Sequence, residues 1–268
     1  MAVSPRYQQI ADDLRRRIES CEFTVNTPLP TERDLQEKYQ ASRNTIRDAI
    51  KFLAQQHLLE TRPGRGTFVA EEIDPFVTTL SNDPGTAPGG GGGGEEGATY
   101  PAAVRDQGRE AGAGTPTVQV IKCPSQIADR LQIEETKLVV SRLQKRFIDG
   151  TIWSSQTSYY PLDWVQRGAE GLLDPEDIPA GAVAYLAETI GFKQVGYRDL
   201  VSVRLANDWE QELFNLTHNH TVIEVYRTSF AEDETPIRVT VTVLPSDRNQ
   251  ITYNFGTVPD QREAPVRL

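Results

Sequence analysis

Apolar residues recur at three- and four-residue spacing near the start of the chain, where Ile10, Leu14 and Ile18 fall on one side of a helix over about 7–20. Ser4-Pro5 supplies a plausible start. A second helix is announced by Pro30-Thr31, with Thr31 as cap and Asp34 three residues on, a near relative of the capping box. It carries Leu35 inward and ends near Tyr39. After a polar corner a third helix opens at Ser42 and runs through Ile46, Ala49, Ile50 and Leu53. LLET and TFVA then flank the turn RPGRG, which predicts two short strands around a tight tip.

The second half of the chain changes period. Apolar and polar residues alternate in TVQVIKC, and a helical SQIADRLQI follows. KLVVSRLQKRFIDGTIWSSQTSYYP reads as a long hairpin turned at Asp149-Gly150. AVAYLAETIG is an apolar helix, RDLVSVRLAN a strand and DWEQELFNL a helix, with Asp208 and Glu210 as caps. Two more strands, TVIEVYRTSFAED and IRVTVTVLP, close an α+β domain built on an antiparallel sheet.

Between the halves lies a run of six consecutive glycines, which gains too little from burial to offset the entropy of ordering it. The expected organisation is a helical domain over 1–74, a flexible Gly- and Pro-rich linker over 75–116, and the α+β domain over 117–268. A phosphate-cradling glycine loop would need a strand before it and a Lys-Ser or Lys-Thr pair after it, and this tract has neither.

With 268 residues, the chain is long enough for two modest domains. No apolar run approaches the length of a membrane span, and MAVSPRYQQIADDLRRR lacks the apolar core of a secretory signal. Cys21 and Cys123 are far apart and read as free thiols of a reducing compartment, so a cytoplasmic, nucleoid-associated protein is expected. The net charge of −10 argues against a nucleic-acid partner only until its distribution is considered. Residues 1–70 hold 11 Lys or Arg against 9 Asp or Glu, whereas the rest hold 17 against 29. Positive charge need only gather where phosphates are met.

It gathers at the third helix. Ser42, Arg43, Asn44, Thr45 and Arg47 crowd its N-terminal end, where free backbone N–H groups already favour an anion. Arginine pairs bidentately with guanine O6 and N7, and Ser and Thr suit phosphate oxygens. Arg33 on the preceding helix can reach the backbone beside them. Arg62, Gly64, Arg65, Gly66 and Thr67 make a narrow basic tip suited to a minor groove. Helix, helix, corner, helix and hairpin is the layout of a winged helix-turn-helix, so double-stranded DNA is the expected partner.

LPTERDLQEKYQASRNTIRDAIKFLAQQHLLETRPGRGTFV resembles the DNA-binding domain of the GntR superfamily of bacterial transcription regulators, over residues 4 to about 70. The resemblance implies DNA contacts at Arg33, Arg43 and Arg47 and a minor-groove approach at Gly64. Ala41 stands where the family usually has valine. ADRLQI, VVSRLQKRFIDGTIWSSQTSYYP, VYRTSFAEDETPIRVTVTVLPSDR and ITYNF are similar to the UTRA domain of the HutC branch, whose fold is that of chorismate lyase. That likeness implies a small-molecule effector, an α+β sensor and a homodimer joined through the sheet.

By two-residue periodicity Arg142, Gln144 and Arg146 share one strand face, Ser158 and Tyr160 share a face of the hairpin partner, and Arg227 lies on a later strand. The resemblance implies an effector site there, with arginines holding an anionic group; Gln144 departs from the arginine that many members carry, which argues against a phosphosugar. The same arginines also suit outward strand positions on an acidic surface. Trp153, Tyr159 and Tyr226 are expected in the core.

Catalytic signatures are missing: no G-x-S-x-G, H-E-x-x-H or paired Cys and His stands out. His57 reads as a polar cap, and His218 with His220 lacks an evident third metal ligand. The expected protein is therefore a ligand-responsive repressor of an inverted-repeat operator, with no cofactor, metal or catalytic residue. The alternatives are an enzyme of chorismate lyase-like fold fused to a DNA-binding domain, and a constitutive regulator or activator with no effector. The glycine tract and scarce lysine suggest a high-GC bacterium such as an actinobacterium.

Overall fold

The computed structural model describes residues 4–56, 58–62, 64–70, 73–81, 96–178, 181–216 and 219–254. They form two compact units, one made by the N-terminal 74 residues and the other beginning at Pro75.

The first unit contains α1 (Arg6–Glu19), α2 (Glu32–Tyr39), α3 (Arg43–Gln55), β1 (Leu59–Arg62) and β2 (Gly66–Val69). The apolar stripes meet as expected, with Ile10, Leu14, Leu35, Ile46, Ala49 and Leu53 buried in one cluster with Leu59 and Val69. The start of α2 carries a complete capping box: Thr31 Oγ1 accepts from the Asp34 N–H, and the Asp34 carboxylate accepts from the Thr31 N–H. Ser42 caps α3 by accepting from the Thr45 N–H at 3.2 Å. The β1–β2 tip holds Gly64 at φ +72° and Gly66 at φ +108°, left-handed backbone that a Cβ would strain.

In the second unit seven strands form an antiparallel sheet in the order β4-β6-β7-β10-β9-β8, with β5 also paired to β6. The strands are β4 (Ala111–Ala113), β5 (Thr117–Lys122), β6 (Leu138–Ile148), β7 (Thr151–Pro161), β8 (Gln194–Leu205), β9 (Thr221–Ala231) and β10 (Pro236–Pro245). Asp149 and Gly150 both have positive φ, which the two-residue turn between β6 and β7 requires. One sheet face is covered by α5 (Ser125–Leu131) and α8 (Asp208–Phe214), through Ile127, Leu131 and Val239 and through Phe214, Val222 and Val243. Asn207, not Asp208, caps α8, and Glu210 completes that capping box. Against the other face lie α6 (Asp163–Gln166), a 3-10 turn, Glu170–Leu173, and α7 (Ala182–Ile190), joined by Val165, Leu172, Leu186, Val140 and Tyr160.

The expectation of a linker without regular structure over 75–116 is corrected. That segment contains β3 (Phe76–Ser81), α4 (Glu96–Asp106) and β4, and all three lie in the second unit. The glycine tract itself falls outside the described residues. β3 pairs in parallel with β11 (Asn249–Asn254), from Asn249 opposite Phe76 to Asn254 opposite Ser81. α4 is tied down by Tyr100 and Val104, both buried.

The turn that leads into β11 is built on a buried charge cluster. Arg248 donates to both Asp247 carboxylate oxygens, at 2.9 and 3.0 Å, and His220 Nε2 lies 3.5 Å from Asp247 Oδ1. The Arg248 carbonyl accepts from Trp153 Nε1 at 3.0 Å and from the Phe76 N–H at 2.9 Å, so the turn holds the sheet and β3 together. Trp153 is buried, as expected of a core residue. His57 and His218 lie outside the described residues.

Candidate nucleic-acid interface and effector cavity

The polar residues expected at the start of α3 do converge. Asn44 is exposed, while Ser42 and Thr45 face one another with their hydroxyls 2.8 Å apart. Ser42 thus both caps the helix and sits among the DNA candidates. The Arg43 and Arg47 side chains remain 64% and 55% exposed and share one partner, Glu32 at the start of α2. Arg33 is 86% exposed, with Nε 3.2 Å from Glu37. One carboxylate therefore gathers two arginines of one helix, while Arg33 reaches outward from the helix before it.

At the wing the two arginines differ. Arg65 and its flanking Gly64 and Gly66 are exposed. Arg62 is drawn back onto the domain: it pairs with Glu60, donates to Asn26 at 2.8 Å and covers the Phe68 ring at 4.4 Å. Thr67 is half-buried, and its carbonyl accepts from the Leu29 N–H at 2.7 Å. Among the tip residues, Arg65 is the arginine presented outward.

Of the six effector candidates, five line one cavity of about 140 Å³: Arg142, Gln144, Arg146, Ser158 and Tyr160. Their meeting follows from register, since Arg142 lies opposite Ser158, and Val140 opposite Tyr160, on the face that α7 covers. Arg227 is corrected. Although it shares the cross-strand row of Ser158 and Thr240, it does not line the cavity. Asp199 on neighbouring β8 captures it through two hydrogen bonds of 2.7 and 2.6 Å, and it stacks on Tyr197 at 3.8 Å.

Arg142 also behaves differently from a free anion-binding arginine. Its guanidinium donates to the carbonyls of Leu172, Asp174 and Glu176 at 2.8, 2.7 and 2.6 Å. It thereby fixes the segment after the 3-10 turn, which continues into cavity-lining Asp177 and Ile178. Gln144 donates to the Gly114 carbonyl at 3.2 Å, and Arg146 stacks on the Tyr100 ring at 4.7 Å.

Sequence reasoning missed an entire wall. Tyr100 and Pro101 of α4, with Ala111, Gly112 and Ala113 of β4, line the cavity from the segment taken for a linker. Tyr100 donates to the Phe147 carbonyl at 3.0 Å, and burial pushes its phenol up to about 12. Tyr100 and Val104 stand one helical turn apart, a signal obscured by Pro101 and the adjacent glycines. Gln156 was missed as well. It is 7% exposed in the cavity wall, and its buried Oε1 has no hydrogen-bond partner among the described residues. Such an acceptor favours a donor from a bound molecule.

No group of His, Cys, Asp and Glu suited to a metal occurs among the described residues, and no described helix is long and apolar enough to cross a membrane.

Comparison with known proteins adds independent findings. Residues 6–69 match the model for bacterial regulatory proteins of the gntR family, and residues 106–250 match the UTRA domain. The chain is 43% identical over 72 residues to the mannosyl-D-glycerate transport/metabolism system repressor MngR of Escherichia coli (strain K12), covering 27% of this chain but only 30% of that protein. It is 22% identical over 258 residues to the HTH-type transcriptional regulator YurK of Bacillus subtilis (strain 168), covering 92% of each. A crystal structure described as a GntR-family transcriptional regulator superposes with a TM-score of 0.66 at 24% identity, over 95% of this chain and 99% of that one.

Proposed function

The chain belongs to the GntR family of bacterial transcriptional regulators, in the group with a UTRA effector domain, and from that premise we propose that it is a repressor released by a small molecule. The observation that carries the DNA side is the convergence of Arg43 and Arg47 on the exposed start of α3, with Arg33 exposed on the preceding helix and Arg65 exposed at the β1–β2 tip. In this reading α3 enters the major groove, the tip enters the minor groove, and Arg33 meets phosphate. The repressor sense rests on the names of relatives such as MngR, matched mainly through the DNA-binding part.

The effector is proposed to occupy the cavity beneath α7, where Arg146, Ser158, Tyr160 and Gln156 offer polar contacts. Arg142 lines the cavity too, and its guanidinium shapes it by holding the segment after the 3-10 turn. Release from DNA requires the effector to bind the DNA-incompetent state more tightly, since equal affinity for both states shifts nothing. A route exists in the chain itself: only six residues, 70–75, separate β2 from β3, and the segment from β3 to β4 supplies one cavity wall. Tyr100 of α4 packs edge-on against Phe76 at the start of β3, so a ligand that moves α4 acts on the stretch leading back to the DNA-binding unit.

Reading an inverted repeat requires two copies related by a two-fold axis. β8 offers a seam. It is a 12-residue edge strand with no proline, and it exposes Leu200, Val203 and Leu205 at 52%, 64% and 59%. With no strand beyond it among the described residues, an apolar edge of this length is self-complementary to a second copy. Val203→Lys combined with Leu205→Lys is expected to weaken self-association by about 100-fold or more, because each loss counts twice across a two-fold. Light scattering should show the monomer mass with unchanged circular dichroism. A variant that stays dimeric at low micromolar concentration removes β8 from the interface.

The function itself is tested by a footprint of the protein across genomic DNA. Protection of an inverted repeat upstream of an operon, lost on adding a metabolite of that operon, is the expected result. No specific protection by a folded protein would overturn the DNA-reading account.

A further inference from the structure

Arg43 and Arg47 are not independent side chains projecting into solvent. Glu32 Oε2 accepts from Arg43 Nε at 2.9 Å, and Glu32 Oε1 accepts from Arg47 Nε at 2.8 Å. The carboxylate is thus shared, one oxygen to each arginine, across the corner between α2 and α3. Both hydrogen bonds use Nε. An arginine that donates through Nε still has its end edge, formed by Nη1 and Nη2, which that bond does not use. That paired edge is a geometry that grips guanine O6 and N7 bidentately.

The two arginines are one turn apart on α3, about 6 Å along the helix axis. Successive base pairs are about 3.4 Å apart, so the pair spans roughly two steps. Glu32 lies at the first position of α2, fixed there by the Thr31–Asp34 capping box. It is therefore held by the helix preceding α3 and braces the arginines from outside their own helix. Because the two arginines hold its carboxyl below the usual range, Arg47 foremost, it stays ionised at neutral pH.

We propose that Glu32 is a positioning residue for base readout, holding Arg43 and Arg47 end-on toward the base edges and opposing binding through the phosphate backbone alone. Its second effect is electrostatic. A carboxylate beside the DNA surface repels phosphates in every complex, and that repulsion is offset only where the oriented arginines find their bases. Glu32 thus lowers non-specific affinity and raises specific affinity. The inference rests on α3 being the helix that reads DNA.

Full-length protein and its Glu32→Gln variant are to be titrated against the footprinted operator and against an unrelated duplex of equal length, at several salt concentrations. Glu32 is at the surface and the capping box does not use its side chain, so the variant should fold; circular dichroism checks this. The expected result is a fall of about tenfold or more in the ratio of specific to non-specific affinity, with unrelated DNA bound more tightly than before. Operator containing 7-deazaguanine, which lacks N7, should cost the parent protein more affinity than it costs Glu32→Gln. A ratio preserved within twofold, or both affinities moving together, would overturn the proposal, since a merely structural role changes both alike. Failure of the parent protein to prefer any duplex would instead overturn the DNA-reading premise.

Discussion

Replacing Arg43 with alanine is expected to weaken binding to the operator by about 10- to 100-fold, the 1–3 kcal/mol of one bidentate base contact. Binding to unrelated DNA should fall much less. The contrast comes from where the side chains stand. Arg43 is held at the start of α3 by Glu32 through Nε, whereas Arg33 extends from α2 and is 86% exposed. Arg33→Ala is accordingly expected to weaken all duplexes alike and to reduce the salt slope by about one counterion. Fluorescence anisotropy over a salt series separates the two. If Arg43→Ala weakened specific and unrelated DNA by the same factor, Arg43 would be a phosphate contact and α3 would not be reading bases through it.

The second large effect lies far from DNA in sequence. Asp247→Asn is expected to destabilise the effector-binding unit by about 3–5 kcal/mol, because it leaves Arg248 and His220 buried without their carboxylate. For a unit of this size that is a fall in Tm of roughly 10 °C. Burial alone would raise the Asp247 carboxyl, but hydrogen bonds from His220 and Arg248, with the charges of both, hold it well below the usual range. A carboxyl depressed in the folded state stabilises fully above its unfolded pKa of about 3.9 and loses that contribution as pH falls toward the folded value. The gap between parent and variant should therefore be largest near neutrality and narrow by about 1.4 kcal/mol per pH unit below about pH 4. Denaturant melts at pH 7 and pH 3 measure it, and a gap equal at both would show that the cluster is not held by charge.

The helices of the first unit were legible because each carries its own punctuation. Thr31 with Asp34 and the cap at Ser42 mark starts that need no distant partner, and Ile46, Ala49 and Leu53 mark a face by spacing alone. The long β6–β7 hairpin was equally local, set by Asp149-Gly150 and by alternation. What escaped were features whose partners are remote. β3 is a six-residue run whose ladder lies on β11, more than 160 positions later, and nothing in FVTTLS indicates that match. α4 was hidden by an internal proline and a neighbouring glycine tract, so its contribution to the cavity was hidden too.

The effector candidates show the same boundary at finer grain. Period two put Arg142, Gln144 and Arg146 on one strand face, and all three line the same cavity. It could not say what each arginine would find there. Arg142 met three backbone carbonyls about thirty residues on, and Arg227 met Asp199 on the adjacent strand. Facing is a local property of a strand, whereas charge pairing is a property of the assembled sheet.

The parallel ladder of β3 and β11 also fixes how the molecule would respond to a pull. Tension from the DNA-binding unit enters β3 at Phe76, and β11 is anchored at the same end, where Asn249 follows the Asp247–Arg248 turn. Load applied at matching ends of two parallel strands does not shear six rungs together; it opens them one after another, beginning with the Phe76–Asn249 pair. The first bond to be loaded is the one from the Phe76 N–H to the Arg248 carbonyl, which also accepts from Trp153 Nε1, so a pull on β3 reaches the seven-stranded sheet at its first step.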